Sequence, residues 1–297
     1  MLVIAAMATV TRRYLSPEQI GSYHRDGYVA VRDVIDPSRL AELRRVTDEF
    51  LERSRQTRES DDVFDLDPRH TAEAPALRRI KNPADHHPVY RWVAFESPLP
   101  DIVGELLGPD VKFNHSKLNL KGSLIGAPVD WHQDAAFYPH SNDDVLAVGL
   151  LLDDASPENG CLAVVPGSHR GPVYEHDDAA GRFAGSIPTG DIVRLDMASM
   201  RRLALPAGSI HIHHYRLVHG SAENRTTTER RLLINAYASA DAVQLVPDST
   251  RSPLFGAIVR GAPSRTVRRE AGTFRMPPDW SRGYTSIYAL QSRIDSR

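Results

Sequence analysis

The sequence predicts a mainly β protein, an antiparallel sandwich or jelly roll with a layer of helices ahead of it. Three observations lead there. Beyond residue 110, short runs rich in Val, Leu and Ile recur between Gly, Pro and Asn turns. Before residue 110, cap-and-proline signals mark the starts of helices. No internal repeat or low-complexity tract interrupts the chain. At 297 residues it could hold one or two domains, and jelly rolls often reach about 200 to 250 residues as a single unit. We expect one domain: residues 1–110 mainly helical, 111–245 the jelly-roll core, and 246–297 a C-terminal extension.

Taken in order, the opening MLVIAAMATV is apolar but too short to span a bilayer, and no cationic stretch precedes it as in a secretory signal. It reads as a frayed tail, with Met7 an alternative start. Ser16-Pro17-Glu18-Gln19 joins an N-cap serine, a proline at the first helical position and a glutamine three residues after the cap, so a helix should run to about Arg25. Gly27 then lets the chain turn into a short strand, Tyr28 to Arg32. Asp36-Pro37 repeats the signal before a longer helix with Leu40, Leu43, Val46, Phe50 and Leu51 on one stripe. Two helices should therefore flank one edge strand. Charges and prolines from Arg55 to His87 read as a surface loop or partly ordered crossing, and Pro98 to Leu107 as a helix stopped at Gly108-Pro109. The strands follow: Val111 to Leu120, Val145 to Leu152, Cys161 to Val165, Ser209 to His214 and Leu232 to Ala238.

Composition excludes some classes of function. With 41% apolar and 25% charged residues and a formal charge of −2, the chain has no field to gather nucleic acid, and a small, roughly neutral partner is the default. The one cysteine, Cys161, rules out an internal disulfide framework and a multi-cysteine zinc site, which suits a cytoplasmic protein. Asn114-His115-Ser116 and Asn224-Arg225-Thr226 match the glycosylation pattern only formally. Lysine stands only at 81, 112, 117 and 121, so 32 of the 36 basic residues are arginine; we take this as a compositional bias.

Thirteen histidines give many chance metal patterns. Trp131-His132-Gln133-Asp134 places an imidazole and a carboxylate two apart, which an extended segment directs to the same side. That pair alone is weak evidence. His219 supplies a third ligand: it follows an expected strand, and Gly220-Ser221 reads as a turn that brings it back toward His132. Two histidines and a carboxylate leave three open positions on an octahedral metal, as non-haem Fe(II) oxygenases require. A rival cluster, His211-Ile212-His213-His214, puts His211 and His213 on one strand face and His214 on the other, with no carboxylate nearby in sequence; these read as core or supporting histidines, one of them an alternative to His219. Arg230, eleven residues beyond His219, is placed to grip a carboxylate with two parallel hydrogen bonds if it is buried, or is a plain strand-end charge if it is not.

These segments, together with Asn159-Gly160-Cys161-Leu162, Pro166-Gly167-Ser168-His169 and Asn224, resemble the phytanoyl-CoA dioxygenase family of Fe(II)- and 2-oxoglutarate-dependent oxygenases. The resemblance runs from about Ser16 to Asp241 and leaves the C-terminal remainder unmatched. It implies a double-stranded β-helix, the cupin-like form of the jelly roll. It also implies iron on His132, Asp134 and His219, with Arg230 and Ser221 on the distal carboxylate of 2-oxoglutarate, Gln133 close to this cosubstrate, and Lys117 another cosubstrate contact. O2 completes the cofactor set, with ascorbate as reductant in vitro. Asp134 occupies the position that related halogenases leave to a small residue, so hydroxylation of a small molecule, with release of succinate and CO2, is the implied reaction.

Two other functions remain open in the sequence: a cupin-like metalloenzyme that makes no use of 2-oxoglutarate, and a non-catalytic small-molecule-binding module. Substrate is less legible. Gly171 to Leu205 is long enough to form a lid over a jelly-roll mouth, or a disordered excursion. Phe137 and Tyr138 are placed either to line the cavity or to pack. Arg251, Arg260, Arg265, Arg268 and Arg269 suit an anionic substrate or simple exposure equally. No membrane, nucleic-acid or obligate protein partner is expected.

Overall fold

The helix caps set the first layer. In the computed structural model, which describes residues 13–124, 126–247, 252–270 and 286–291, Ser16 Oγ accepts from the Gln19 amide at 3.2 Å while Gln19 Oε1 accepts from the Ser16 amide at 2.9 Å. This reciprocal pair opens α1 (Pro17–Asp26), and Gly27 closes it at φ 82°, where a Cβ would lie 2.5 Å from the His169 ring. β1 (Tyr28–Val31) follows. Asp36 then accepts from the Ser38 and Arg39 amides and opens α2 (Pro37–Arg53), which buries Leu40, Leu43, Val46 and Phe50 while Leu51 stays half-buried. The opening tail with Met7, and Arg251, lie outside the described residues.

Residues 55–87 depart from the expected surface loop. They hold β2 (Phe64–Leu66), β3 (Leu77–Lys81) and α3 (Pro83–His86), followed by α4 (Pro88–Phe95) and α5 (Leu99–Leu107). Leu-Arg-Arg-Ile-Lys carries too many charges to look like a buried strand. Its pairing partner decides the matter, because Arg79 lies opposite Asn119 and Ile80 opposite Leu118 of the next strand.

That strand is β4 (Val111–Lys121), and the rest run β5 (Val129–His132), β6 (Val145–Leu151), β7 (Leu162–Val164), β8 (Arg201–Arg202), β9 (Ile210–His214), β10 (His219–Ser221), β11 (Arg230–Ser239) and β12 (Ile258–Arg260). α6 (Thr189–Ile192) precedes β8, and α7 (Ile287–Gln291) ends the described chain. The larger sheet has the order β1-β9-β6-β11-β4-β3-β2, with β12 also on β4, and the smaller has the order β5-β10-β7-β8. Every strand pair among the described residues is antiparallel and residues of both sheets line one cavity, which makes the architecture the expected jelly roll.

Alternation divides the larger sheet into two faces. Leu118, Val148, Leu150, Ile212, Leu233 and Tyr237 turn outward into one core cluster with Leu43, Val46 and Phe50 of α2, Tyr90 of α4 and Ile102 of α5. The helical layer thus covers the outer face, and truncating a fully packed ring such as Phe50 should cost about 3 to 5 kcal/mol. The inner face is left for the site. No helix among the described residues is long and apolar enough to cross a membrane.

Candidate metal centre and its cavity

His132 ends β5, and antiparallel register sets His219 of β10 directly opposite it. Their ring centroids are therefore only 4.1 Å apart. This corrects one expectation: His219-Gly220-Ser221 is itself a strand, held between β5 and β7, and no turn is needed to bring His219 back. Gln133 continues the extended backbone, and a 3-10 turn over Asp134–Ala136 then begins, pinned by the Ala135 amide on the Tyr215 carbonyl at 2.9 Å. One ligand atom each of His132, Asp134 and His219 lies within 4.8 Å of the others, and all three residues are buried.

The ring nitrogens are sorted. His132 Nδ1 meets the Asp130 carbonyl at 2.8 Å and His219 Nδ1 meets the Leu217 carbonyl at 2.8 Å. A carbonyl can only accept, so each Nδ1 carries the proton and each Nε2 keeps its lone pair for a metal, the usual way a backbone carbonyl orients a ligating histidine. Burial pushes the His132 pKa down to about 4 and that of His219 well below its ordinary value, so both are neutral near pH 7. For Asp134, burial alone would raise the pKa, but the Lys117 charge and the His213 and His219 rings outweigh it and hold the carboxyl well below its usual range. Neutral imidazoles and an ionised carboxylate are the forms that bind a divalent ion. Asp134 Oδ2 is buried and lacks a hydrogen bond of good length among the described residues, with His213 Nε2 3.5 Å away, so a cation fits there.

The rival histidines stand on the opposite wall. His211 and His213 of β9 both line the cavity, and Gly149 of β6 makes room for His211, since a Cβ there would lie 2.3 Å from its ring. The expectation that no carboxylate is near them fails in space, because Asp134 approaches His213 from the turn that follows β5 of the other sheet. Neither ring nitrogen of either histidine has a hydrogen-bond partner among the described residues. His214 faces away, with its ring 5.2 Å from that of His169.

The cavity measures about 830 Å³. Arg230, at the first position of β11, lines it at 2% exposure, with its Nε buried and unbonded and no ion pair found among the described residues. The buried alternative for Arg230 therefore holds, and a carboxylate fits it. Ser221, Lys117, Phe137 and Tyr138 line the same space, Lys117 Nζ lying 3.8 Å from Asp134 Oδ1. Three of the four lysines fall on this inner side of β3 and β4: Lys81 and Lys117 line the cavity, and Lys121 donates to the Ala222 carbonyl beside Ser221, burial taking its pKa to about 6. Of these, only Lys117 stood out in the sequence; Lys81 and Lys121 did not.

Gln133 is corrected. Its amide nitrogen donates to the carbonyls of Pro172 (3.1 Å) and Arg216 (2.7 Å), and its oxygen accepts from the Tyr174 amide at 2.8 Å. With every polar group so engaged, and facing away from the cavity lining, it fastens the 171–205 segment instead of meeting a cosubstrate. That segment is neither a free lid nor disordered: the Ile187 amide bonds the Trp131 carbonyl at 2.8 Å, and Phe183 packs edge-on against Phe137 at 5.1 Å. Arg260 pairs with Asp101, and Arg268 with Asp144 and Asp241, so those two charges are spent on the fold and supply no anion site. Asn114 and Asn224 are buried and bonded, which leaves neither sequon open to a glycan in the folded chain. The other family-like residues shape turns: Asn159 accepts from the Ser156 amide, and Ser168 Oγ accepts from the Val218 amide at 2.9 Å, one residue before His219.

Comparison with known proteins gives a consistent set. Residues 23–232 match the family model described as phytanoyl-CoA dioxygenase (PhyH). A probable alpha-ketoglutarate-dependent hypophosphite dioxygenase of Stutzerimonas stutzeri is 32% identical over 231 residues, 77% of this chain and 80% of the relative. The peroxisomal phytanoyl-CoA dioxygenase of Rattus norvegicus is 25% identical over 78% of this chain and 71% of its own. Among solved structures, EctD from S. alaskensis, crystallised with 2-oxoglutarate and 5-hydroxyectoine, superposes with a TM-score of 0.68 at 24% identity, covering 87% of this chain and 88% of that one. The alpha-ketoglutarate-dependent carbocyclase SnoK from nogalamycin biosynthesis gives 0.64 at 23%, covering 81% and 92%. These two likenesses establish the double-stranded β-helix fold.

Proposed function

This chain belongs to the phytanoyl-CoA dioxygenase family, and on that premise we propose that His132, Asp134 and His219 hold its iron and Arg230 and Ser221 hold its 2-oxoglutarate. The chain is a 2-oxoglutarate-dependent non-haem iron dioxygenase. Its substrate is a small molecule, hydroxylated in the cytoplasm. One observation supports the residue assignment: three pre-sorted donors converge within 4.8 Å at a cavity that also holds a buried guanidinium with no ion pair among the described residues.

Bound iron, 2-oxoglutarate and O2 supply an oxidative decarboxylation that yields succinate and CO2 and hydroxylates a substrate bond. The chain's own groups supply placement. The Asp130 and Leu217 carbonyls keep two imidazole lone pairs aimed at one point, and Lys117 keeps Asp134 ionised. Arg230 offers a bidentate fork to a carboxylate, and Ser221 can donate one hydrogen bond beside it. Phe137, Leu232 and Ile234 are among the apolar residues of the wall.

The test is anaerobic addition of Fe(II) and 2-oxoglutarate, which should give a weak visible charge-transfer band, followed by O2 and a metabolite library with ascorbate. Succinate formation and a mass gain of one oxygen should appear together. Arg230→Ala should raise the half-saturating 2-oxoglutarate concentration about a hundredfold, the loss of a charged bidentate pair. An unchanged requirement would move the cosubstrate carboxylate elsewhere. A cupin-like enzyme without 2-oxoglutarate would release no succinate.

A further inference from the structure

One buried lysine stands behind both Ser221 and Arg230. Lys121 ends β4 and is 1% exposed, yet it is not among the residues that line the cavity. In antiparallel register it lies opposite Arg230 of β11, and cross-strand partners project from the same face, so both side chains leave the inner face of the larger sheet together. Lys121 Nζ then crosses to the smaller sheet, where it donates to the Ala222 carbonyl and, at 3.5 Å, to the Ser221 carbonyl at the end of β10. Its own backbone carbonyl accepts from Asn224 Nδ2 at 3.0 Å, and that nitrogen also donates to the Thr228 carbonyl at 2.7 Å. A single residue thus holds the 222–229 connection at both ends, through its side chain at Ser221 and Ala222 and through strand pairing at Arg230.

Within its own sheet β10 pairs only with β5 and β7. Lys121 ties the end of that strand across to the larger sheet, and so sets the gap between the sheets where Ser221 and Arg230 meet the cavity. The far side of the contact is close-fitting as well: a Cβ on Gly160 would fall 2.2 Å from the Ala222 oxygen. The segment Asn159-Gly160-Cys161 is therefore shaped to admit the carbonyl that Lys121 grips. Burial first and the Arg230 charge second take the Lys121 pKa to about 6, so near pH 7 the amine is neutral. Arg230 is left to meet an anion, and Lys121 to fix where its neighbours stand.

We propose that Lys121 is a positioning residue that fixes the span between Ser221 and Arg230 and so sets the length of 2-oxo diacid the cavity accepts. The inference rests on the reading that Arg230 and Ser221 hold the cosubstrate. A diacid held at both ends has to match a fixed span, and a methylene too many leaves one end out of reach. Removing the amine frees the end of β10 and the 222–229 connection from β4, while Arg230 keeps its place in the β4–β11 ladder. The span then relaxes, and discrimination by length is lost with it.

The experiment titrates the full chain, anaerobic with Fe(II), with 2-oxoglutarate and with 2-oxoadipate, one methylene longer, following the charge-transfer band. The quantity read is the ratio of the two half-saturating concentrations. The wild type should favour 2-oxoglutarate at least about tenfold, the usual worth of one misfitting methylene. Lys121→Met, which keeps the stem and removes the donors, should weaken 2-oxoglutarate about tenfold and 2-oxoadipate by less than about threefold, so the ratio falls. Gly160→Ala presses on the Ala222 carbonyl from the other side, touches no cavity residue, and should lower the ratio in the same direction. If Lys121→Met does not fold, Lys121→Gln, with a shorter donor, and Gly160→Ala carry the test. Thermal melting separates positioning from plain stability: variants that melt lower but keep the wild-type ratio overturn the proposal, and so does a wild type that takes both acids equally. Arg230→Ala tells the two readings apart. If it leaves both acids unchanged, the cosubstrate assignment falls and the role of Lys121 with it; if it weakens both while Lys121→Met and Gly160→Ala keep the ratio, only the role of Lys121 falls.

Discussion

Two pairs of buried histidines face one cavity from opposite sheets. His132 and His219, on β5 and β10 of the smaller sheet, each have Nδ1 tied to the carbonyl two residues back. His211 and His213, on β9 of the larger sheet, have no partner at either nitrogen among the described residues, although His213 comes within 3.5 Å of Asp134 and its ring lies 4.4 Å from that of His219. Closeness to the carboxylate does not separate the pairs. Orientation does: only the first pair has its free lone pair fixed by the backbone, so only it can meet a metal without first losing ring freedom.

The largest expected effect tests that difference directly. His132→Ala or His219→Ala should lose stoichiometric iron and cut turnover at least about a thousandfold, while His213→Ala should keep its iron and lose about 10- to 100-fold, as supporting groups do. Metal content measured beside initial rates checks both; iron lost from the His213 variant and kept by the His219 variant would reverse the ligand assignment.

Next in size is the acid response of the metal-free chain. Burial takes the pKa of His115 and His214 down to about 3 and that of His140 to about 4, all below the ordinary 6.5. The unfolded chain therefore takes up these protons first as the pH falls. Stability should decline between pH 6.5 and about 4, by up to roughly 1.4 kcal/mol per pH unit for each such histidine. Denaturant midpoints at pH 7, 5.5 and 4.5 measure it, and a flat profile would mean that these imidazoles are not held neutral.

The smallest effect concerns the support behind His132. Gln133→Ala should cost about 1 to 3 kcal/mol, because it leaves the Tyr174 amide and two carbonyls without their partner, and should move the 2-oxoglutarate requirement less than about twofold. A shift in cosubstrate affinity with unchanged melting would return Gln133 to the cavity.

Local chemistry was legible wherever one short segment held all of it. The Ser16 capping box, the Asp36-Pro37 start, the Gly27 stop and the stripe of α2 needed only neighbours in sequence, and the strands from Val111 onward announced themselves by composition. The candidate triad and Arg230 were legible only as a set, through the family resemblance, because thirteen histidines give many chance patterns and the His-x-Asp pair alone is weak evidence. β3 was not, since Arg79 and Lys81 find their place at the cavity that β4 helps to enclose and Arg78 in its pair with Asp65, none of which is near in sequence pattern.

The chain's order of residues by itself determined the helix ends and the jelly-roll class, and it named three candidate donors. Only the tertiary structure decided that His219 sits on a strand opposite His132, that Gln133 turns its back on the cavity, and that Arg79 and Tyr288 meet there from β3 and α7. The physical reason is range. Caps, turns and periodicity act over a few residues, whereas register between strands and the burial of a charge depend on partners up to two hundred positions away, and nothing local encodes which of them will arrive.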